Sequence, residues 1–356
     1  MRPHTTFYAA LAATLLLPAV LASQSTGDRR PNTPAEDRRE REEERDRERE
    51  EERDREREEE RREREEERRE REEGRREQQR DRIDTTVALA GRAEVNLSLV
   101  AGRITVRGWD RAQARVQAET EGGTLVFASS ASRLTLRQEG RSRRGDDARY
   151  DVTVPFGTRL VMRSVSGDLS AVDVRGEVEA RTTSGDVRIQ GAGGRTLFES
   201  VSGEIEARRL AGPVRGQSVS GDVTLSEVGG DVEVETVSGE IAVNQARASF
   251  VRLESTSGNL EFTGPLDRAG RYEFNSHSGT ITLGLPPDAA AQVTVETFSG
   301  ELDTAFPLTL TPNERTGRPR RFEFTLGGGG ARLTAESFSG DVNLRRSGGT
   351  TTTPRE

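Results

Sequence analysis

The sequence predicts an all-β protein whose main part is a β-solenoid, a stack of coils of about 18 residues each. A short Ser-Gly-acid motif returns along most of the chain, and apolar and polar residues alternate on either side of it. Aromatic residues make up only 4% of the chain and charged residues 33%. That composition favours a thin core of Val, Leu and Ile over one large globular core.

The repeated motif reads small, apolar, Ser, Gly, acid, apolar, as in residues 218–225. The first four steps between successive serines are equal, the next three are slightly longer, and the last is about twice as long because it contains an insertion. A fixed short period indicates a repeat array. We predict structural turn roles for the serine and glycine of each copy: Ser166, Gly167, Ser184, Gly185, Ser202, Gly203, Ser220, Gly221, Ser238, Gly239, Ser257, Gly258, Ser278, Gly279, Ser299, Gly300, Ser339 and Gly340.

A second glycine follows many of these pairs at half the period, as Gly230 follows Gly221. Apolar residues alternate with polar ones after each glycine, starting at Val223 and again at Val232. Because the separation of these two sets is odd, one unbroken strand would turn them to opposite faces, so a corner must separate them. Each coil therefore contributes two short strands, and the coils bury their apolar faces only by stacking.

An antiparallel meander or sandwich of short hairpins is the alternative fold. The equal spacing of the first motif copies favours coils over hairpins. Hairpins also commonly carry Asn-Gly or Asp-Gly turns, and neither dipeptide occurs in this sequence.

Residues 1–22 are predicted to be a secretory signal peptide, because Arg2 precedes an apolar run that ends in small residues. A membrane anchor is the alternative, although about 16 apolar residues are fewer than the ~20 needed to span a bilayer. The signal predicts an exported protein that is periplasmic, cell-surface or secreted. Because the chain has no cysteine, we expect neither disulfides nor a lipid attached to cysteine.

Residues 23–35 are predicted to form a flexible leader, and residues 36–82 a low-complexity arm rich in Arg and Glu. The arm has 19 Arg, 25 Asp or Glu and no apolar residue, so it has nothing to bury in a core. Pairs at i and i+4, such as Glu60 with Arg64, favour a partly helical or disordered segment. The arm serves either as a spacer or as a binding segment. Residues 346–356 form a polar tail that we expect to be disordered.

Charge outside the arm argues against a nucleic-acid partner. Of 54 basic residues 19 lie in the arm, which leaves 35, and of 62 acidic residues 25 lie there, which leaves 37. A net charge of about −2 provides no basic excess of the kind on which nucleic-acid binding depends.

The solenoid is predicted to span residues 83–345. Residues 100–110 form an atypical copy of the motif near the front, as expected for a terminal coil that caps the core. Two strand-like segments near residues 306–326 predict a hairpin that leaves the stack, after which four glycines at 327–330 return the chain to a final coil.

Several of these features together resemble the bacterial β-strand-repeat proteins called "putative adhesins", a domain of unknown function. The resemblance is carried by the Ser-Gly-Asp/Glu repeats, Gly-Trp-Asp at 108–110, Val-Pro-Phe-Gly-Thr at 154–158, and the four glycines followed by Ser-Phe-Ser-Gly-Asp at 337–341. It covers about residues 84–345 and implies an exported, repetitive β domain. It does not extend to the charged arm.

Catalytic chemistry has few candidate residues here. The chain outside the predicted signal has one histidine, His277, at a position where other copies have Val, Thr or Phe. A Ser-His-Asp triad would have to use it, whereas the repeat alone explains its position. We therefore predict no catalytic residue, no cofactor and no enzymatic activity.

The acids after the glycines are candidates for calcium binding, because stacked carboxylates would lie about 5 Å apart and repel each other. The alternative is a column of solvated turn carboxylates, since there is only one acid per coil. The candidates are Asp168, Asp186, Glu204, Asp222 and Glu240, with Glu301 and Asp341 in later coils.

Together these observations predict a non-catalytic structural or adhesin-like module of the cell envelope. It would bind an envelope or extracellular protein or glycan through the regular faces of the solenoid. The alternative function is a carbohydrate-active enzyme of the polysaccharide lyase or hydrolase type on the same scaffold. A purely architectural role without a ligand is the third possibility.

Overall fold

The fold is taken from a computed structural model, which describes residues 45, 49, 53, 55–69, 81–140, 147–307 and 320–347. The predicted signal peptide, the leader and all but the first two residues of the tail lie outside the described residues. The chain divides into two units, residues 1–71 and residues 72–356.

The first unit contains the helical part of the predicted arm. Residues 55–69 are helical, as are positions 45, 49 and 53. Arg62 pairs with Glu58 at 2.9 Å, and Arg64 pairs with Glu60 at 3.2 Å. These exposed i,i+4 pairs each stabilise a helix by only about 0.2–0.5 kcal/mol. In the described part of the chain, no helix combines the length and the apolar character needed to cross a membrane.

The second unit is made of strands, which confirms the prediction of a mostly β chain. Its front end comprises β1 (Asp81–Ala88), β2 (Glu94–Trp109), β3 (Gln113–Thr120), β4 (Thr124–Ser129), β5 (Arg133–Glu139), β6 (Ala148–Pro155) and β7 (Arg159–Val172). Strand β1 begins at Asp81, inside the segment predicted as the end of the arm.

Regular coils follow, each with two strands. They are β8 (Val178–Ser184), β9 (Val187–Gln190), β10 (Thr196–Ser202), β11 (Ile205–Leu210), β12 (Val214–Ser220), β13 (Val223–Val228), β14 (Val232–Ser238), β15 (Ile241–Asn244), β16 (Phe250–Ser257), β17 (Leu260–Thr263), β18 (Arg271–Ser278) and β19 (Ile281–Leu285). The distal strands are β20 (Ala291–Thr297), β21 (Leu302–Thr304), β22 (Arg320–Leu326), β23 (Ala331–Ser339) and β24 (Val342–Arg346).

Each coil pairs in parallel with the coil one repeat away. The even-numbered strands β8 to β18 form one ladder, and the odd-numbered strands β9 to β19 form a second. Thr196, for example, faces Val178 on one side and Val214 on the other. A hairpin meander would require antiparallel pairs, so that alternative is wrong for the repeats, and the parallel stack is consistent with a β-solenoid.

Antiparallel strands occur only at the two ends of the described stack. At the front, β5 and β6 pair in parallel with β2, while β4 pairs antiparallel with β5 and β3 antiparallel with β6. Strand β1 then pairs antiparallel with β3. The irregular front end predicted from the sequence therefore covers the first coils with antiparallel strands, and among these described strands only β4 and β5 form a hairpin of consecutive strands.

The distal end differs from the prediction of a hairpin leaving the stack. Strand β22 pairs antiparallel with β20 along its whole length and belongs to the ladder. The last coil of the chain, β23 and β24, lies between the coil of β18 and β19 and the coil of β20 and β21. Strand β23 pairs with β18 on one side and with β20 on the other. The order of the coils in the stack therefore differs from their order in the chain. Residues 308–319 of the predicted hairpin lie outside the described residues.

Each coil has a second corner at the end of its odd-numbered strand, and from β7 to β15 this corner holds a residue in the left-handed conformation. No repeated glycine motif in the sequence predicts these residues. Asp173, Arg209, Glu227 and Gln245 have φ of 55–56°, and Gly191 in the same column has φ of 74°. These positions recur once per coil, so the corner has one conformation whichever residue occupies it. Only one of the five is glycine.

We expect Glu227→Gly to stabilise the protein by about 0.5–1 kcal/mol. A left-handed conformation costs a non-glycine residue about 1–2 kcal/mol, which exceeds the roughly 0.5–1 kcal/mol of extra backbone entropy that glycine loses on folding. Thermal unfolding followed by circular dichroism measures the change. The control, Thr224→Gly near the start of β13, should lower the melting temperature. A similar loss for Glu227→Gly would contradict backbone strain at that position.

Candidate functional site

The Ser-Gly corners lie one above another in a single column. Ser184 faces Ser166 and Ser202, and the same register continues from Ser220 to Ser238 and Ser257. The serine hydroxyls are on the exposed side, where Ser202 Oγ donates to Thr183 O at 3.4 Å and Ser299 Oγ donates to Phe338 O at 3.3 Å. Such contacts hold the corner and give no single serine a distinct chemical environment.

A buried hydroxyl column, which was not predicted from the sequence, lies two residues before each serine. Thr182 Oγ1 donates to Ser184 O at 3.1 Å, and Thr236 Oγ1 donates to Ser238 O at 3.3 Å. Ser238 O also accepts the backbone N–H of Gly221 in the neighbouring coil at 3.2 Å, so the threonine hydroxyl adds a second hydrogen bond to that corner carbonyl. The hydroxyls of Ser164, Ser200 and Ser255 in the same column are buried without a hydrogen-bond partner among the described residues. The signal was the pattern Ser/Thr-x-Ser-Gly, which recurs at Ser164, Thr182, Ser200, Ser218, Thr236, Ser255, Ser276, Thr297 and Ser337.

The acids after the glycines connect each coil to the next. Asp168 Oδ1 accepts the backbone N–H of Asp186 at 3.2 Å, and Asp186 Oδ1 accepts that of Glu204 at 3.1 Å. Asp222 Oδ1 accepts the N–H of Glu240 at 2.8 Å. A short Asp or Asn side chain thus caps the backbone of the neighbouring coil.

Two of the five calcium candidates are also paired with arginine. Arg103 lies 3.4 Å from Asp168, and Arg188 lies 2.9 Å from Asp186. Within the described ranges, no group of three or more His, Asp or Glu side chains is arranged to hold a metal ion. The carboxylate column therefore has a structural use in capping and ion pairing.

We expect Asp222→Ala to lower the free energy of unfolding by about 1 kcal/mol, because the backbone N–H of Glu240 loses its acceptor. Asp222→Asn keeps an oxygen at the same place, as Asn259 does for the N–H of Thr280 at 3.0 Å. It should therefore lose less than half as much stability. Urea unfolding measures both, and equal losses would show that charge rather than capping matters.

An exposed stripe runs along the outside of the same corners. It consists of the residue before each serine, in stacking order Val165, Thr183, Val201, Val219, Val237, Thr256, His277, Phe338 and Phe298. All six large apolar side chains that are exposed among the described residues lie in this stripe, with exposed fractions from 37% to 54%. Single exposed apolar residues are ordinary on protein surfaces, whereas an aligned row of them marks an interaction surface.

The stripe becomes aromatic at its distal end. Phe338 stacks on His277 with ring centroids 4.9 Å apart, and on Phe298 at 4.8 Å. The rings are within 10° of parallel, so each face of Phe338 is covered by a neighbour. The structure therefore places His277, the residue considered for a triad, in an apolar column.

A groove of about 840 Å³ runs beside the stripe. Its other wall is a polar row two residues before each stripe residue. This row begins with Arg163 and Arg181 beside Val165 and Thr183. From Val201 onward we call it the first acidic row, with Glu199, Gln217, Glu235, Glu254, Asn275, Glu336 and Glu296 in stacking order. The groove is lined by the members of this row from Gln217 onward and by the stripe from Val219 onward.

Ion pairs neutralise part of the first acidic row. Arg252 hydrogen-bonds to Glu254 at 2.7 Å, which raises the pKa of Arg252. Arg321 lies 2.6 Å from Glu296. Gln217 donates to Glu235 at 3.4 Å, a contact that leaves the carboxylate charge uncompensated. The groove wall therefore remains net acidic.

A second acidic row follows three residues after the stripe, across the Ser-Gly corner. Its members in the same coils are Glu204, Asp222, Glu240, Asn259, Thr280, Asp341 and Glu301. Each row carries five carboxylates and no basic residue in these seven coils. The distal part of the stripe thus lies between two rows of negative charge.

Comparisons with known proteins identify a family and several structural neighbours, two of which are described here. A model of the Toastrack DUF4097 family matches residues 91–345. A crystal structure from Clostridium sporogenes ATCC 15579, described as a "putative cell adhesion protein", is similar at 9% identity and TM-score 0.18, covering 75% of this chain and 100% of its own. A "putative lipid binding protein" from Parabacteroides distasonis ATCC 8503 is similar at 11% identity and TM-score 0.33, covering 74% and 96%. No curated protein matches the chain.

Proposed function

The chain belongs to the Toastrack DUF4097 family, a β-repeat domain of unknown function, and from that premise we propose that it is an exported, non-catalytic interaction module of the cell envelope. Its binding surface is the exposed stripe with the groove beside it. The observation that carries the proposal is that all the large exposed apolar side chains of the described residues lie in this one column.

An aligned row of apolar side chains favours a binding role because its contact with water is unfavourable in free energy. Val219 is 47% exposed, Val237 52% and Phe338 50%, at positions whose outward direction would suit polar residues. Covering apolar area contributes about 25 cal/mol per Å², so a partner that lies along several coils gains from each of them. Solenoids in general present extended surfaces of this type to their partners.

The test is cosedimentation of the purified full chain with envelope fragments of the cells that produce it. We expect the wild type to bind and the double variant Val219→Ser, Val237→Ser to lose binding. A control with serine at two half-buried positions on the other ladder, Thr224→Ser and Thr282→Ser, should bind as the wild type does. Retention of binding by the stripe variant would refute the proposed surface.

Export and the absence of catalysis need separate measurements. Cell fractionation should place the protein outside the cytoplasm, and a cytoplasmic location would contradict export. Incubation of the purified protein with cell-wall and plant polysaccharides should release no new reducing ends or unsaturated sugars. Release that depends on a single carboxylate would instead favour the carbohydrate-active enzyme.

A further inference from the structure

We infer that the partner of the stripe is a cationic amphipathic helix of another protein, which lays an apolar ridge on the stripe and Lys or Arg side chains against the two acidic rows. This inference rests on the proposed function and names the partner's chemistry. It follows from the charge around the stripe, the direction in which the stripe runs, and the way its rings are stacked.

Charge complementarity is the first step. Between Val201 and Phe298 in the stack, five carboxylates line each side of the stripe and neither row contains a basic residue. Only the pairs of Arg181 with Glu199, Arg252 with Glu254 and Arg321 with Glu296 offset this charge among the described contacts of the first acidic row. An apolar ridge with cations on both flanks matches this surface, because complementary potentials favour association and like charges oppose it.

The same charge argues against two other occupants, and amino-acid composition argues against a third. A second copy of the chain would bring acidic rows together across the interface, which is repulsive. Anionic lipid headgroups would meet the same repulsion. The chain's own arm, residues 36–82, has 19 Arg but no apolar residue, so it cannot supply the ridge.

The direction of the stripe favours a helix over an extended peptide. The stripe runs along the stacking axis, which is also the direction of the backbone hydrogen bonds between coils. Those groups are already paired in the parallel ladders, as at Ser218 and Ser220 of β12, so a peptide strand laid on the stripe finds no free sheet edge. A helix satisfies its own backbone groups and needs only side-chain contacts.

The dimensions also agree. The seven stripe positions from Val201 to Phe298 span six coil steps, about 29 Å at roughly 4.8 Å per step. A helix of about 19 residues has that length, and its ridge residues recur about every 5.4 Å. One helix can therefore contact the whole distal part of the stripe.

Ring stacking argues against a glycan. Sugar rings pack against the flat faces of aromatic side chains, and both faces of Phe338 are covered, by His277 and Phe298. The edges that remain exposed suit aliphatic side chains such as Leu or Ile on a helix.

The experiment uses three fluorescent helical peptides, each of about 19 residues, and the full chain. The first has a Leu ridge flanked by Lys, the second the same ridge flanked by Glu, and the third a Ser ridge flanked by Lys. Fluorescence anisotropy should show that the wild type binds the first at least about 10-fold more tightly than either other peptide, a difference of about 1.4 kcal/mol. Binding should weaken as salt is added.

Variants locate the site. Val219→Ser with Val237→Ser, and separately Glu235→Lys with Glu336→Lys, should each weaken binding of the first peptide by about 10-fold or more. The charge-matched control Glu227→Lys with Glu261→Lys, which lies outside the groove, should stay within about twofold. Because every variant keeps the arm, binding to the arm's own carboxylates would leave all the affinities alike and would overturn the inference.

Other ligands provide the remaining outcomes. The inference is overturned if the Lys-flanked peptide fails to bind, if the Glu-flanked peptide binds equally well, or if phosphatidylcholine vesicles or cellohexaose bind at the stripe in its place. If envelope binding is lost in the stripe variant while the Lys-flanked peptide does not bind, the proposed function stands and only the helix is wrong. If the stripe variant keeps envelope binding, the proposed function itself fails.

Discussion

Gly221→Ala is expected to lower the free energy of unfolding by about 3 kcal/mol, the upper end of the cost of a strained backbone conformation. Gly221 has φ of +130°, a conformation that residues with a side chain rarely adopt. A Cβ there would also lie 2.3 Å from the carbonyl oxygen of Gly203 in the neighbouring coil. That oxygen belongs to the backbone, so relief requires two coils to move apart.

The matched control is Gly229→Ala, in the second corner of the same coil. A Cβ at Gly229 has its nearest contact at 3.5 Å, on the backbone oxygen of Ala211, which is an ordinary distance. This variant should be neutral or slightly stabilising, since alanine restricts the unfolded chain. Urea unfolding of the full chain gives both values. If the two variants lose the same free energy of unfolding, the tight stacking of the Ser-Gly corners is wrong.

Phe198→Ala is expected to be the most destabilising core change, at about 3–5 kcal/mol for a buried Phe. Phe198 is fully buried and faces Ala180 on one side and Gly216 on the other. A Cβ on Gly216 would lie 2.0 Å from the Phe198 ring. The large ring in one coil is therefore accommodated by small residues in the two adjacent coils.

A double-mutant cycle separates this packing from a general loss of apolar area. Gly216→Val alone should cost about 1–3 kcal/mol or more, because the new side chain meets the ring. Combined with Phe198→Ala, the valine enters the vacated space, and the double variant should be more stable than the sum of the single changes by about 0.5–3 kcal/mol. Strict additivity would show that the two residues are not packed against each other. Equilibrium urea unfolding of all four proteins provides the cycle.

Both predictions concern contacts between coils, which are also what align the proposed binding surface. The stripe exists only because each residue before a Ser-Gly pair lies above the corresponding residue of the next coil. A change that shifts the coils should therefore weaken binding even when the stripe residues are intact. Gly221→Ala should reduce envelope cosedimentation, and Gly229→Ala should not.

Much of the candidate site could be read from the alternation in the sequence. Val232, Val234 and Thr236 face inward in steps of two, so Val237 is apolar at an outward position. An apolar residue at an outward position was the signal in the sequence for the exposed stripe, although the position was predicted only to be a variable part of the repeat. The buried hydroxyl column also follows from this alternation, because Thr236 is the last inward-facing residue of β14 before the corner.

Alternating polarity and regularly spaced glycines were enough to predict the mostly β architecture, the period of the coils and the place of the Ser-Gly corners, because each of these is a local property of the chain. The order of neighbouring strands at the two ends could be seen only in the folded chain. Strand β23 lies between β18 and β20, an order that depends on which sheet edge remains unpaired and leaves no trace in local pattern. Likewise, the pairing of Phe198 with Gly216 and the stacking of Phe338 between His277 and Phe298 arise between coils, where residues far apart in the chain share space.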